Sequence, residues 1–150
     1  MKNYYLLITI IFLVGCSSSS KRLERIPKLN LTLEQKLERA NLAYEEARLD
    51  HAESLYLQIT KDKPKLREPW LKLGNIYMRQ TRMKAAIRCF EEAIRLDKED
   101  GRAWYNLALA KVKQATMILE TAEQVIPKNS VYQTYISSLH QRLIEKVKRK

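Results

Sequence analysis

A chain of 150 residues with three glycines, four prolines, 30% charged residues and a net charge of +11 has room for one modest domain and the composition of a helical one. The basic residues are spread through the whole length, which argues against a nucleic-acid footprint. The densest cluster is Lys146, Lys148, Arg149 and Lys150, with a smaller one at Lys21 and Arg22. Anionic head groups or an acidic partner are the natural counter-charges for these.

In chain order, Met1-Lys2-Asn3 gives a short positive start and Tyr4 to Val14 an apolar run without a charge. Small Gly15 stands before Cys16, and four serines follow. This is the layout of a secretory leader. The run is short of the roughly 20 apolar residues that span a bilayer. Leu13-Val14-Gly15-Cys16 resembles the lipobox of bacterial lipoproteins. That resemblance implies a leader over 1–15, lipid on Cys16 and a polar tether over 16–30. Ser17 after the cysteine does not resemble an inner-membrane retention signal, so the resemblance implies the outer membrane, facing the periplasm. With Cys16 lipidated, Cys89 has no intramolecular disulfide partner. Its apolar helical surroundings beside Phe90 point to a buried, inert thiol.

The domain over 31–150 is built on an internal repeat. The clearest copy reads Trp70-x2-Leu73-Gly74-x2-Tyr77, then Ala86-x3-Phe90-x2-Ala93. It resembles the tetratricopeptide repeat, a helix–turn–helix unit, and implies an all-α solenoid of antiparallel helix pairs. Stepping back 34 positions gives Ala40, Ala52, Tyr56, Ile59 and Pro64, so repeats are expected at about 33–66 and 67–100. The first copy departs from the pattern at Lys36, Arg39 and Ala43, as suits an end face open to water. Gly74 and Ala86 let the paired helices approach, while Trp70, Leu73, Tyr77 and Phe90 are expected to fill the space between pairs. Pro69 falls in a first helical turn, where its missing N–H does no harm.

A third copy opens at Asp100-Gly101 and Trp104-x2-Leu107-Ala108, and closes with Ala115-x3-Leu119-x2-Ala122-x4-Pro127. Its middle is five residues short, because Trp70 to Ala86 is a step of 16 and Trp104 to Ala115 a step of 11. Lys111-Val112-Lys113-Gln114 has no residue that favours a turn. Trp104, Ala108, Val112, Ala115, Leu119, Ala122 and Ile126 form an unbroken stripe. One continuous helix from about Arg102 to Ile126 is expected in this abridged repeat of 101–127. Ser130 then caps a closing helix over about 130–148, whose stripe Val131, Tyr135, Leu139, Leu143 and Val147 should cover the last core face.

Catalytic chemistry is not evident. His51 and His140 are far apart in sequence, and no metal-ligand spacing surrounds either. Surface exposure at a turn accounts for His51, and a polar part of the closing helix for His140. Glycines only at 15, 74 and 101 exclude a phosphate loop. No catalytic residue, metal, cofactor or small-molecule substrate is therefore assigned. Glu45-Glu46 and Glu91-Glu92 read as solvated charges, since adjacent helical positions diverge.

The tetratricopeptide resemblance implies a groove lined by the first helix of each repeat, taking an extended peptide or a partner helix. Carried over by spacing, its residues are Asn41, Tyr44 and Glu45, then Asn75, Met78 and Arg79, then Arg102, Tyr105, Asn106 and Leu109. Leu71 stands where members that bind a C-terminal carboxylate need a lysine, so that specificity does not follow. Together the two resemblances point to small lipoproteins that assemble envelope machines, such as the pilotin-type and Flp-pilus assembly proteins. A second reading is an adaptor for peptidoglycan hydrolases or synthases. A cell-wall enzyme is a third, disfavoured by the missing acid–base or nucleophile set.

Overall fold

The computed structural model describes residues 31–148, and every regular element among them is an α-helix. The expected leader, Cys16 and the tether lie outside the described residues. The helices are α1 (Leu33–Glu45), α2 (Leu49–Asp62), α3 (Arg67–Arg79), α4 (Met83–Leu96), α5 (Gly101–Val125) and α6 (Val131–Lys148). Each packs on the next, and α3 also meets α5, the neighbour pattern of stacked helical pairs.

Local chemistry sets the helix starts. Thr32 and Gln35 form a reciprocal capping box at α1, satisfying two backbone donors. The Asp100 carboxylate accepts from the Arg102 N–H at 2.9 Å and opens α5. Ser130 accepts from the Tyr132 N–H at 3.3 Å, as expected of a cap for α6.

The turn inside each complete pair is the same. Ala47 (φ 56°) and Thr81 (φ 61°) sit 34 positions apart, both in the left-handed region. The next residue closes the helix end, with Arg48 N–H donating to Ala43 O at 2.9 Å and Arg82 N–H to Tyr77 O at 2.8 Å. These are Schellman closures made without the usual glycine. A side chain in that region costs about 1 kcal/mol. Ala47→Gly and Thr81→Gly are therefore each expected to raise the melting temperature by about 4 °C. A thermal melt checks this, and an unchanged or lowered midpoint would show that the turns are not strained.

The core runs through both pairs: Ala40, Ala43, Ala52, Tyr56 and Ile59, then Leu73, Ile76, Ala86, Phe90 and Ala93, then Ala103, Leu107 and Ala110. Gly74 is required where α3 crosses α4, because a Cβ there would overlap the Phe90 ring. In the first pair Ala40 takes the place of Gly74 and Tyr56 that of Phe90. The Tyr56 hydroxyl donates to Asn41 Oδ1 at 2.7 Å, which satisfies a buried phenol. Burial raises its pKa well above the ordinary tyrosine value, so it remains a donor.

The third repeat does not turn. α5 runs unbroken from Gly101 to Val125, within a residue of the expected bounds. Two expectations need correction. Trp70 is only half-buried, packed on the margin of the core, and Trp104 is 52% exposed, so neither is a central filler between pairs. Each indole is also tied to the preceding turn. Trp70 Nε1 donates to Pro64 O and Trp104 Nε1 to Lys98 O, both at 2.9 Å.

The second correction concerns α6. Its expected inward stripe is largely outward, since Val131, Tyr135 and Leu139 are exposed. The half-buried side is Gln133, Ile136, His140, Leu143 and Ile144. His140 is thus not solvated: its Nδ1 lies 3.2 Å from Glu123 Oε2 on α5. His51 is exposed, but within α2 rather than in the turn.

Cys89 is 6% exposed, and desolvation pushes its thiol from the ordinary value of 9.0 up to about 11. At pH 8 its thiolate is then about 100-fold scarcer than that of a free thiol. Labelling by a disulfide reagent is expected to be slower by at least that factor than in denaturant. The sign of the linkage follows, because the unfolded thiol ionises from about pH 9 while the folded one stays protonated until about 11. Cys89 thus lowers stability progressively as pH climbs through that window, with no effect below it.

Candidate partner-binding groove

The first helices of the second and third repeats, α3 and α5, enclose a shallow groove of about 400 Å3. Four residues expected from the sequence meet there: Asn75, Arg102, Tyr105 and Asn106. Glu68, Leu71, Lys72 and Gly101 complete its lining. Glu68 and Lys72 were not anticipated, and Leu71 was considered only as a missing lysine, yet the three stand 34 positions before Arg102, Tyr105 and Asn106. Applying the repeat step to the third copy would have found them.

The asparagines meet across the groove. Asn106 Nδ2 donates to Asn75 Oδ1 at 3.0 Å. The Asn75 amide hydrogens and Asn106 Oδ1 have no other partner among the described residues. One donor group and one acceptor are therefore left on neighbouring side chains, of the kinds that pair with the C=O and N–H of a peptide backbone.

Charge is arranged around this pair. Arg102 lies 3.0 Å from Glu68 and 3.3 Å from Asp100, so its positive charge is already compensated. Asp100 is buried, and Arg67 from the start of α3 pairs with it as well. This cluster locks the N-termini of α3 and α5 together at the end of the groove. Lys72 has no carboxylate partner among the described residues, and its Nζ rests 4.6 Å from the centre of the Tyr44 ring. Arg79 stacks on the same ring at 4.7 Å. Two further expected residues, Tyr44 and Arg79, are thereby joined to the groove through Lys72.

The remaining expected residues have other surroundings. Asn41 gives its side-chain oxygen to Tyr56, and Met78 packs against the core. Glu45 is exposed and Leu109 half-buried, and neither lines the α3–α5 groove. The site is thus narrower than the repeat spacing suggested.

Ser137, His140 and Glu123 border one small cleft between α5 and α6. His140 is oriented by Glu123, but no hydrogen bond joins Ser137 to it among the described residues. Ser137 lies mid-helix, where backbone N–H groups are committed to the helix and offer no oxyanion donors. No group of three or more metal-ligating side chains occurs among the described residues.

Comparison with known proteins bears on the fold. Residues 74–114 match a family described as TPR repeat. A solved structure, the TPR2B domain of yeast Sti1 in complex with pHsp70, superposes with a TM-score of 0.53 at 19% identity. It covers 76% of this chain and 97% of the yeast domain. The fold is a tetratricopeptide-type solenoid. Human protein O-mannosyl-transferase TMTC3 is 27% identical over 84 residues, which is 56% of this chain but 9% of that protein. The mouse protein is 29% identical over 68 residues, 45% of this chain and 7% of its own length. The chain thus spans less than a tenth of these relatives.

Proposed function

We propose that this chain is a non-enzymatic adaptor that grips an extended segment of a partner protein between α3 and α5. The carrying observation is the Asn75–Asn106 pair in the lining of the groove, with one donor group and one acceptor left unused. Tyr105 offers apolar contact beside it, and Lys72 a positive charge with no carboxylate partner among the described residues. The yeast Sti1 domain of similar fold is itself seen in a complex with pHsp70, in keeping with a protein ligand.

The adaptor is held at a bacterial envelope by lipid on Cys16, and it serves assembly of an envelope machine of the pilus or secretin type. The lipobox-like residues 13–16 support that part of the reading. Palmitate label entering the wild-type chain and not Cys16→Ser is the expected result for the anchor. For the groove, affinity capture from solubilised envelopes should retain a discrete partner that Asn75→Ala/Tyr105→Ala/Asn106→Ala loses by at least about tenfold. Equal recovery with both would contradict the groove, and recovery of cell-wall enzymes would change the machine it serves.

A further inference from the structure

The missing turn of the third repeat has produced a second recess, away from the groove just described. Because α5 does not reverse near Lys111, its second half runs past the start of α4. The step between them is an open recess of about 1130 Å3. One wall is the side of α5, where Met117, Ile118 and Val125 are 38%, 63% and 75% exposed. These large apolar groups are spaced as one face of a helix.

The other wall is the first turns of α4, and it is basic. Arg82, Lys84 and Arg88 line the recess, and no acidic side chain does. Arg82 is held by Glu53, but Lys84 and Arg88 have no ion pair among the described residues. α4 has no side-chain cap and no acidic residue in its first turn, so its positive dipole end adds to the same field.

We infer that this recess docks a short amphipathic helix of another protein, with an apolar stripe on α5 and carboxylates toward Lys84 and Arg88. Neither wall is a strand, so an extended ligand would find no strand edge to join. A helical ligand satisfies its own backbone and can set its ridge of side chains along α5. The apolar wall from Gln114 to Val125 is about 16 Å long, or three turns. Charge decides the sign of the ligand, since a basic helix would meet uncompensated cations.

The test uses the full chain and a fluorescein-labelled synthetic helix about three turns long, with a leucine stripe and flanking glutamates. A companion peptide carries lysines in place of the glutamates. Fluorescence anisotropy should show the acidic peptide binding and the basic one not. Ile118→Asp, at an exposed position that leaves the fold intact, should weaken binding at least tenfold. Lys84→Glu/Arg88→Glu should lose about tenfold and turn the preference toward the basic peptide. Asn75→Ala/Asn106→Ala should leave this binding unchanged, which separates the recess from the α3–α5 groove. Equal binding of both peptides, or no effect of Ile118→Asp, would overturn the inference. So would sedimentation showing a dimer that Ile118→Asp dissolves and the acidic peptide cannot displace, because the occupant would then be a second copy.

Discussion

Phe90→Ala is expected to destabilise the domain by about 3–5 kcal/mol. The ring is fully buried and fills the space that Gly74 leaves open where α3 crosses α4. Against a typical total of about 5–15 kcal/mol, such a loss leaves little margin. The same contact can be approached from its other side. Gly74→Ala favours the helix by about 1 kcal/mol but drives a methyl into the ring, for a cost of about 1–3 kcal/mol. Combining Gly74→Ala with Phe90→Leu should recover part of both losses, with a coupling of about 1 kcal/mol. Urea unfolding of the four proteins measures it. Strict additivity would mean that the two residues do not share the crossing.

Asp100→Ala should cost about 2–3 kcal/mol, with consequences for the groove as well as for stability. The carboxylate is buried, caps α5 through the Arg102 N–H, and pairs with Arg67 from α3. Loss of a cap is worth about 1 kcal/mol. Removing the shared anion between two partly exposed arginines adds about 1–2 kcal/mol, discounted from the fully buried case because water reaches both partners. Asp100→Asn keeps the cap oxygen and should lose about half as much. Because Asp100 ties the starts of α3 and α5, the alanine variant should also loosen the Asn75–Asn106 hydrogen bond. Faster exchange of the Asn106 side-chain amide hydrogens in NMR is the expected sign. An unchanged exchange rate would show that the groove does not depend on this clamp.

The two complete pairs were legible in the sequence because one contact recurs every 34 residues. Gly74 with Phe90, and Ala40 with Tyr56, pair a small residue with a large one at the same helix crossing. The unbroken α5 was legible for a different reason. Five residues are missing where the turn belongs, and no turn-forming residue replaces them. The rotation of α6 was not legible. Its inward side carries Gln133 and His140 beside Ile136, Leu143 and Ile144, so no clean apolar stripe marks it in the sequence. Glu123 on α5 meets His140, and that side turns inward.

The groove was legible only in part. Spacing pointed to Asn75, Arg102, Tyr105 and Asn106, which the structure brings together around one groove, but it could not tell which asparagines a neighbour would occupy. Asn41 is taken by Tyr56, whereas Asn75 and Asn106 take each other. The 34-residue step back from Asn106 reaches Lys72, but its stacking contact to Tyr44 crosses from one repeat to the previous one. Such contacts depend on the angle between repeats, which periodicity does not encode.

Site-specific photocrosslinking in the cells that make this protein bears most directly on its role. A benzophenone residue in place of Tyr105 should yield one discrete crosslinked partner, and Asn75→Ala/Asn106→Ala in the same chain should abolish it. The same probe at Leu57, exposed on α2 and outside the groove, should yield none. Identical products from both positions, or a Tyr105 product that survives loss of the asparagines, would contradict a partner held between α3 and α5.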